Sequence, residues 1–240
     1  MEPEIAQKLV ALNHQFYQSF ADDFSESRGR LQAGVIQVLD RMPAAGSVLD
    51  LGCGNGKVAV HLARNGFKGT YLGADFSLGL LRWAKEDIPE GFKAGFLELD
   101  LTATSWEGVL PPTLYDFIFC FATFHHIPSL DLRVGLCRNI RRIIQNAGTL
   151  TISAWQFIRS ERLKKKILPW ETIGLSEDQV DAGDYLLDWQ RGGSGIRYVH
   201  LFNPEELNYL AEKSGFKVIE SFDSDGEGGN LGYYQVWEPA

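Results

Sequence analysis

Glycine and aspartate residues that could bind a ligand follow one short apolar stretch of the sequence. Residues 47–49 predict a buried strand, which Asp50 ends, and Gly52, Gly54 and Gly56 recur after it at two-residue spacing. Glycines at such positions allow positive φ and let a ligand approach the main chain closely. A helix is predicted over the next eight residues, so the turn should lie at the carboxyl edge of a parallel sheet, where nucleotide-like ligands bind.

The spacing of these glycines excludes two common phosphate-binding loops. A dinucleotide-binding fold has the pattern G-x-G-x-x-G, whereas residues 52–56 read G-x-G-x-G. A P-loop requires serine or threonine after its lysine, and here Val58 follows Lys57. The turn therefore either binds a different nucleotide-like ligand or is a tight connection without a ligand.

Two further aspartates end the next two predicted strands. Asp75 closes a strand over residues 69–75 and lies nineteen residues after Gly56, where an acid can accept hydrogen bonds from both ribose hydroxyls. Asp100 closes a strand over residues 94–100, where it could meet the exocyclic amine of an adenine. The two acids together fit an adenosine, although an acid at a strand end can also be purely structural.

Two adjacent histidines follow a strand that is hydrophobic on both faces and therefore central, Tyr115–Phe121. Their loop should leave the same sheet edge and face a transferred group, which makes His125 or His126 a candidate general base. A structural role is the alternative for either ring. Two histidines without a nearby third ligand do not make a zinc site, so no metal is predicted. A helix over residues 131–144 follows, with Arg133 expected on its outward face.

The composition is that of one soluble globular domain. The 240 residues are 45% hydrophobic and 22% charged, and the net charge of −8 argues against broad, nonspecific binding of nucleic acid. Three widely spaced cysteines form no disulfide framework, which indicates a reducing compartment and a cytoplasmic location. The sequence contains neither a signal-peptide pattern nor an apolar run long enough to cross a membrane.

The remaining elements should position these residues within a single α/β domain over residues 1–240. Residues 1–41 predict a helical cover in two pieces, and Arg28 within it could pair with a carboxylate tail of the ligand. Residues 157–200 break the alternation of strands and helices and predict an inserted substrate lid. The basic beginning of that lid is either a solvated helix face or a phosphate contact. The last two of seven predicted strands form an antiparallel hairpin within residues 216–237.

The pattern at Asp50, Gly52, Gly54 and Gly56 resembles the first motif, D/E-x-G-x-G-x-G, of the class I S-adenosylmethionine methyltransferases. The resemblance covers nearly the whole chain and implies a Rossmann-like sheet with the strand order 3-2-1-4-5-7-6. It also implies S-adenosylmethionine as the cofactor and S-adenosylhomocysteine as its product. The residues that it places against the cofactor are Tyr17, Arg28, Asp50, Gly52, Cys53, Gly54, Asp75, Phe76, Asp100, Leu101 and Phe121.

Three stretches are similar to the eukaryotic tRNA methyltransferases that esterify 5-carboxymethyluridine at the wobble position, and to their bacterial relatives. They are Tyr17–Arg28, Phe124–Ile127 together with Arg133, and a lid signature of Gly183–Tyr185, Trp189 and Arg197–Phe202. This similarity implies tRNA as the substrate and a small zinc-binding activator subunit as a partner. It also implies that His125, Arg197 and His200 are catalytic, with Arg197 anchoring the carboxylate and Tyr198 helping to shape the pocket.

Two departures from that family bear on the substrate. Its Lys-Pro-Trp-Pro segment is replaced here by Gly29–Gln32, and the proline before the lid tryptophan is replaced by Asp188. Both departures concern the recognition of tRNA more than the chemistry. A small-molecule O- or N-methyltransferase therefore stays open as the alternative function, and it explains the acidic net charge more simply.

Overall fold

The computed structural model describes residues 1–27 and 29–240. Its helices are α1 Pro3–Ser19, α2 Ala21–Ser27, α3 Ala33–Leu39, α4 Lys57–Arg64, α5 Leu78–Glu86, α6 Leu130–Ile143, α7 Glu161–Lys164 and α8 Pro204–Lys213. Its strands are β1 Ser47–Leu51, β2 Thr70–Asp75, β3 Ala94–Glu98, β4 Tyr115–Phe121, β5 Ile144–Trp155, β6 Ile167–Leu168, β7 Asp184–Trp189, β8 Gly195–His200, β9 Phe216–Ser224 and β10 Gly232–Pro239.

Seven of these strands form one sheet in the order β3-β2-β1-β4-β5-β10-β9. The strands β1 to β5 pair in parallel, whereas β10 runs antiparallel to both of its neighbours, β5 and β9. In order of their occurrence in the chain these strands read 3-2-1-4-5-7-6. The predicted α/β fold, with a seven-stranded sheet and an antiparallel last pair, is therefore confirmed.

The centre of the sheet is buried on both faces, as the continuous apolar runs of β1 and β4 predict. Leu49 and Ile118 lie in the apolar layer that contains α6 and α8, while Val48 and Phe119 lie in the layer that contains α3 and α4. Burying each such side chain stabilises the fold by roughly 1.5–3 kcal/mol. This double layer fixes the carboxyl edge of the sheet, where β1, β2 and β4 all end.

The segment from 157 to 200 forms a second, three-stranded antiparallel sheet in the order β6-β7-β8. One face of this small sheet packs on α1, where Leu9, Leu186 and Tyr198 share a buried apolar cluster. The segment thus lies with the N-terminal helices beside the carboxyl edge of the main sheet. Its role as a lid over a substrate stays a prediction.

Three expected boundaries differ from those observed. The N-terminal cover consists of three helices instead of two, because Phe20 leaves the helical conformation between α1 and α2. The strand predicted to close at Asp100 ends at Glu98, and the helix predicted over residues 131–144 spans Leu130–Ile143. No helix among the described residues is both long and apolar enough to cross a membrane.

Candidate active site

A cavity of about 650 Å³ lies at the carboxyl edge of the main sheet, beneath α1, α2 and the small sheet. Its volume falls in the range of about 300–1,000 Å³ that is typical of small-molecule sites. The glycine turn after β1 forms part of its wall, and the histidine loop after β4 and Arg197 of β8 form another part. The topology therefore brings most of the residues predicted from sequence into one site.

The three glycines of the turn have positive φ angles of 74°, 54° and 72°, in chain order. A Cβ atom at Gly52 would clash with Thr123 Oγ1, and one at Gly56 would come 2.8 Å from the Cβ of Ala84. A Cβ atom at Gly54 would instead meet no atom within 4 Å. Gly52 and Gly56 thus permit close packing of the turn, while Gly54 leaves open space on the cavity wall for a ligand.

Asp50, at the end of β1, is a buried carboxyl group on the cavity wall. The hydroxyl of Tyr71 donates a hydrogen bond of 2.6 Å to its Oδ2 atom. Burial raises the pKa of Asp50 to about 7, an effect that the Tyr71 hydrogen bond opposes and the nearby Asp75 reinforces. Asp50 is therefore partly protonated near neutral pH in the absence of a ligand. A positively charged ligand group beside it would favour the ionised form.

Asp75, at the end of β2, links the glycine turn to the start of α5. Its Oδ2 atom accepts a 2.9 Å hydrogen bond from Gly54 N, and its Oδ1 atom accepts one of 2.9 Å from Ser77 N. Burial raises its pKa to about 6 in spite of these backbone donors, which favour the charged form. The carboxylate has further lone pairs, so it can also accept hydrogen bonds from hydroxyl groups of a ligand.

The far end of the cavity combines an acid with two stacked rings. Asp100 accepts hydrogen bonds from Thr102 N at 2.8 Å and Thr102 Oγ1 at 2.6 Å, which hold its side chain beside Leu101 on the cavity wall. The ring of His14 stacks on Phe76 with a centroid distance of 4.2 Å. The sequence does not predict that His14 lines the cavity and stacks on Phe76. A single histidine on the polar side of a helical pattern gives no indication of the loop that it will contact.

Ten of the eleven residues predicted to contact the cofactor line this cavity. They are Tyr17, Asp50, Gly52, Cys53, Gly54, Asp75, Phe76, Asp100, Leu101 and Phe121. The eleventh, Arg28, lies outside the described residues. Their individual contacts with the cofactor stay predictions, while their presence around one cavity is observed.

The two histidines after β4 have different surroundings. His125 is 2% exposed on the cavity wall, and its Nδ1 atom accepts a 3.4 Å hydrogen bond from Trp155 N. His126 lies 2.7 Å from the Tyr17 hydroxyl through Nε2 and 3.0 Å from the Tyr198 carbonyl oxygen through Nδ1. Both ring nitrogens of His126 are therefore engaged with protein groups.

Arg197 of β8 is a buried cation that lines the cavity. Its side chain is surrounded by the rings of Trp155, Phe16 and Trp189, which lie 5.0, 5.6 and 5.6 Å from its guanidinium carbon. The residue is 6% exposed, and its Nε atom has no hydrogen-bond partner in the described part of the chain. A buried guanidinium with an unused donor is costly unless an anion pairs with it.

His200 is predicted to be catalytic, but its ring does not line the cavity. It is 1% exposed, with Nδ1 2.6 Å from Asp184 Oδ1 and Nε2 2.9 Å from Glu206 Oε2. Tyr198 likewise points away from the cavity wall and donates a 2.6 Å hydrogen bond to Asp184. Both side chains face the opposite side of β8 from Arg197, because successive residues of a strand alternate in direction. The structure therefore places His200 and Tyr198 in a supporting position behind the site.

Arg133 is expected on the outward face of its helix, and this expectation is wrong. The side chain is 1% exposed and forms ion pairs with Asp184 at 3.4 Å and Glu206 at 3.0 Å. Its Nη2 atom also donates a 2.9 Å hydrogen bond to the Tyr198 hydroxyl. Arg133, Asp184, Tyr198, His200 and the partly exposed Glu206 thus form one network, called the anchor network below, which joins β7 and β8 to α6 and α8.

The basic run at the start of the inserted segment has two parts. Arg159 pairs with Asp223 at 2.8 Å, and Lys164 pairs with Glu161 at 2.6 Å. Arg162 and Lys166 instead line the cavity, and neither has an ion-pair partner among residues 1–27 and 29–240. Within the same ranges, no group of three or more His, Cys, Asp or Glu residues could hold a metal ion.

Comparisons with known proteins agree on one family. A family model described as a methyltransferase domain matches residues 24–221. A candidate methyltransferase of Encephalitozoon cuniculi is 30% identical over 209 residues, which are 86% of this chain and 88% of that protein. A tRNA (carboxymethyluridine(34)-5-O)-methyltransferase of Schizosaccharomyces pombe is 24% identical over 237 residues, covering 94% of this chain and 96% of the relative.

Some relatives are much longer than this chain. A tRNA (carboxymethyluridine(34)-5-O)-methyltransferase of Macaca fascicularis matches over 143 residues, which make up 59% of this chain and 19% of that protein. Among known structures, a SAM-dependent methyltransferase from Methanosarcina mazei superposes with a TM-score of 0.64 at 19% identity, covering 85% of this chain and 96% of the other. That likeness supports the fold.

Proposed function

Because the chain belongs to the methyltransferase domain family, we propose that it methylates a carboxylate, namely the carboxymethyl group on the wobble uridine of tRNA. Its membership establishes the coarser activity, which is methyl transfer, and its fold supports S-adenosylmethionine as the methyl donor. The proposal concerns the acceptor and the residues that hold it.

The cavity suits the cofactor at three points. Gly54 leaves open space beside the main chain, and Asp75 offers a carboxylate to ribose hydroxyls. Asp100 and the stacked rings of His14 and Phe76 would hold the adenine. When bound there, S-adenosylmethionine supplies a methyl group that its sulfonium already activates toward nucleophiles. The protein must then bind the acceptor, orient it and exclude water.

The observation that carries the proposal is the buried guanidinium of Arg197 on the cavity wall, whose Nε donor is unused among the described residues. A guanidinium matches a carboxylate with two parallel hydrogen bonds, which fixes the orientation of the acceptor. The three aromatic rings around Arg197 exclude water from one side of this pair and stabilise the cation. A neutral amine or alcohol would leave the cation without a counter-charge.

A carboxylate acceptor removes the need for a general base. Its pKa lies near 4, so it is already ionised at neutral pH. Rate acceleration then comes mainly from holding the acceptor oxygen in line with the methyl group, at about 3–3.5 Å. His125, fixed by Trp155 N on the cavity wall, would serve as a positioning or hydrogen-bonding group for the acceptor.

Two features support an RNA-linked acceptor over a free metabolite. The relatives named above include methyltransferases for carboxymethyluridine in tRNA. Arg162 and Lys166 also provide positive charge at the cavity, where phosphates of an RNA could reach them. The small zinc-binding activator implied by the sequence resemblance stays a prediction.

A small-molecule carboxylate is the second candidate acceptor. The net charge of −8 favours it, since a strongly acidic protein repels a polyanion outside its local basic patches. Ion pairing of Arg159 and Lys164 further reduces the charge that the basic run presents to RNA.

The test is methyl transfer from labelled S-adenosylmethionine to tRNA from the native host, followed by mild alkali. Label that is incorporated and then released by alkali is expected, because esters hydrolyse under conditions that N- and 2′-O-methyl groups survive. Arg197→Ala should abolish the alkali-labile label, and Lys164→Ala serves as a control at an exposed cation. Absence of label on tRNA, with activity recovered on a metabolite extract, would contradict the RNA acceptor.

A further inference from the structure

A cluster of hydrogen bonds joins α1, the histidine loop and β8 directly behind Arg197. Asn13 is 3% exposed, and both atoms of its side-chain amide bind the main chain of Tyr198. Tyr198 N donates to Asn13 Oδ1 at 2.8 Å, and Asn13 Nδ2 donates to Tyr198 O at 3.1 Å. Because β8 is an edge strand of the small sheet, Asn13 acts as the peptide group of a missing neighbouring strand.

His126 makes a second connection to the same carbonyl oxygen. Its Nδ1 atom lies 3.0 Å from Tyr198 O and must donate, since a carbonyl oxygen only accepts. In the neutral ring, Nε2 is then the acceptor for the Tyr17 hydroxyl at 2.7 Å. The imidazole of His126 therefore joins Tyr17, on the predicted cofactor wall, to the main chain of Tyr198, which directly follows Arg197.

The positions along α1 explain why these bonds form together. Asn13 and Tyr17 are four residues apart and thus lie on the same face of the helix. Asn13 Nδ2 also lies 3.3 Å from His126 O, which fixes the loop as well as its ring. His126 therefore connects Tyr17 to β8, and Asn13 holds both the histidine loop and β8 from the same helix face.

We propose that His126 is a positioning residue that couples the cofactor to the carboxylate acceptor, by holding Tyr17 with one ring nitrogen and the β8 main chain with the other. The inference rests on the proposed function in one respect, which is that Arg197 binds the acceptor carboxylate. It assigns to His126 a role different from proton transfer. Coupling of this kind is reciprocal, so each ligand tightens the binding of the other.

Two substitutions separate the halves of the connection. The side chain of His126→Asn places an amide N–H near the Nδ1 position, so it keeps the bond to Tyr198 O and loses the one to Tyr17. The side chain of His126→Gln reaches the Nε2 position, so it keeps an acceptor for Tyr17 and loses the bond to Tyr198 O. Removing either hydrogen bond should weaken the affected binding step by about three- to tenfold.

The experiment measures calorimetric affinity for S-adenosylhomocysteine and for an anticodon stem–loop RNA that carries 5-carboxymethyluridine, each with and without the other. In the wild type, each ligand should tighten the other by about fivefold or more. His126→Asn should mainly weaken the binding of S-adenosylhomocysteine, and His126→Gln should mainly weaken the binding of the RNA. Both variants should lose the mutual effect.

The control is Gln235→Leu, which alters a buried amide on β10 that hydrogen-bonds to Asn208 and Trp237 away from the cavity. It should lower thermal stability and leave the mutual effect intact. Equal weakening of both ligands in both His126 variants, or coupling that survives in both, would overturn the inference. Failure of the proposed function gives a different result. The single variant Arg197→Ala, with His126 intact, would then bind the RNA as tightly as the wild type does.

Discussion

At the scale of single residues, the site is governed by buried groups whose charge has no full compensation within the described part of the protein. Asp50 and Asp75 share one cavity, and burial raises the pKa values of both. Arg197 lies in the same cavity with an unused donor. These costs are typical of functional sites, where a ligand supplies the missing partners.

The first prediction concerns Asp75 and the pH dependence of cofactor binding. Its pKa is about 6 without a ligand, and the charged form accepts hydrogen bonds more strongly than the protonated form. The dissociation constant for S-adenosylhomocysteine should therefore rise as the pH falls from 7 to 5. Calorimetry across this range should show a weaker pH dependence for Asp75→Asn, in which only Asp50, with its pKa of about 7, still titrates on the cavity wall. The same slope in both proteins would contradict the assignment.

The second prediction concerns Asp50 and stability. A carboxyl group whose pKa is raised from 3.8 to about 7 on folding stabilises the fold fully below pH 4 and loses that contribution as the pH rises through 7. Each pKa unit corresponds to about 1.4 kcal/mol, so Asp50→Asn should stabilise the ligand-free protein at pH 8 by up to about 4 kcal/mol. Denaturant unfolding should show no such gain at pH 4. A variant less stable than wild type at pH 8 would refute this explanation.

The acids on the cavity wall could be predicted from sequence because their positions follow from local rules. A glycine turn after a strand, and acids at the ends of successive parallel strands, meet at one edge of a sheet. The surroundings of His200 and Arg133 could not be predicted, because their partners are distant in sequence. Asp184 lies 51 residues from Arg133, and no local pattern indicates that both will be buried together.

At the scale of secondary-structure elements, the anchor network determines how the small sheet is attached. It joins β7 and β8 to α6 and α8 through a buried ion pair of Arg133 with Asp184 and a partly buried one with Glu206. Asn13 and His126 hold the same strand from the side of α1. Arg197 therefore extends from a strand that is fixed on both sides.

The third prediction tests this attachment with Asp184→Asn, which keeps the shape of the side chain and removes its charge. Removing one partner of a buried ion pair costs up to about 3–5 kcal/mol. Arg133 keeps Glu206 as a counter-charge, so the loss should lie near the lower end of that range, at about 3 kcal/mol. Glu238→Gln is the matched control, since its exposed pair with Lys217 at 3.6 Å should be worth about 1 kcal/mol or less. Equal losses of unfolding free energy in the two variants would contradict the structural role of the network.

The fourth prediction concerns the two cavity cations at the start of the inserted segment. If Arg162 and Lys166 bind RNA phosphates, replacing both with alanine should reduce the salt dependence of tRNA binding, by about 0.7–0.9 in log–log slope for each phosphate that is no longer neutralised. Lys164→Ala should change the slope little, because Lys164 is already paired with Glu161. A slope unchanged by the double substitution would remove these residues from the RNA-binding surface.

Among the elements, long periodic helices and central strands were predictable, while the small sheet was recognisable only as an insertion. Its first strand, β6, has two residues, which is too short for a period-two pattern to be seen. The break between α1 and α2 could not be predicted either, because Phe16 and Phe20 are apolar residues at helical spacing and give no sign that the helix ends between them.

At the scale of the whole molecule, the cavity divides into two halves built by different parts of the chain. The turns after β1, β2 and β3 form the half that suits the cofactor. The ends of β4 and β5 and the small sheet form the half that contains Arg197. The first half follows from the family fold, and the second, which would select the acceptor, depends on the insertion.

Selection of a carboxylate acceptor by Arg197 can be tested with a charge-neutral isostere of the acceptor. Two anticodon stem–loop RNAs would be compared, one with 5-carboxymethyluridine and one with 5-carbamoylmethyluridine, which has nearly the same shape without the charge. With S-adenosylhomocysteine present, the wild type should bind the carboxymethyl RNA about tenfold or more tightly than the carbamoylmethyl RNA, as expected for a charge-assisted pair. Arg197→Ala should bind both RNAs equally. Equal affinity of the wild-type protein for the two RNAs would contradict selection by Arg197.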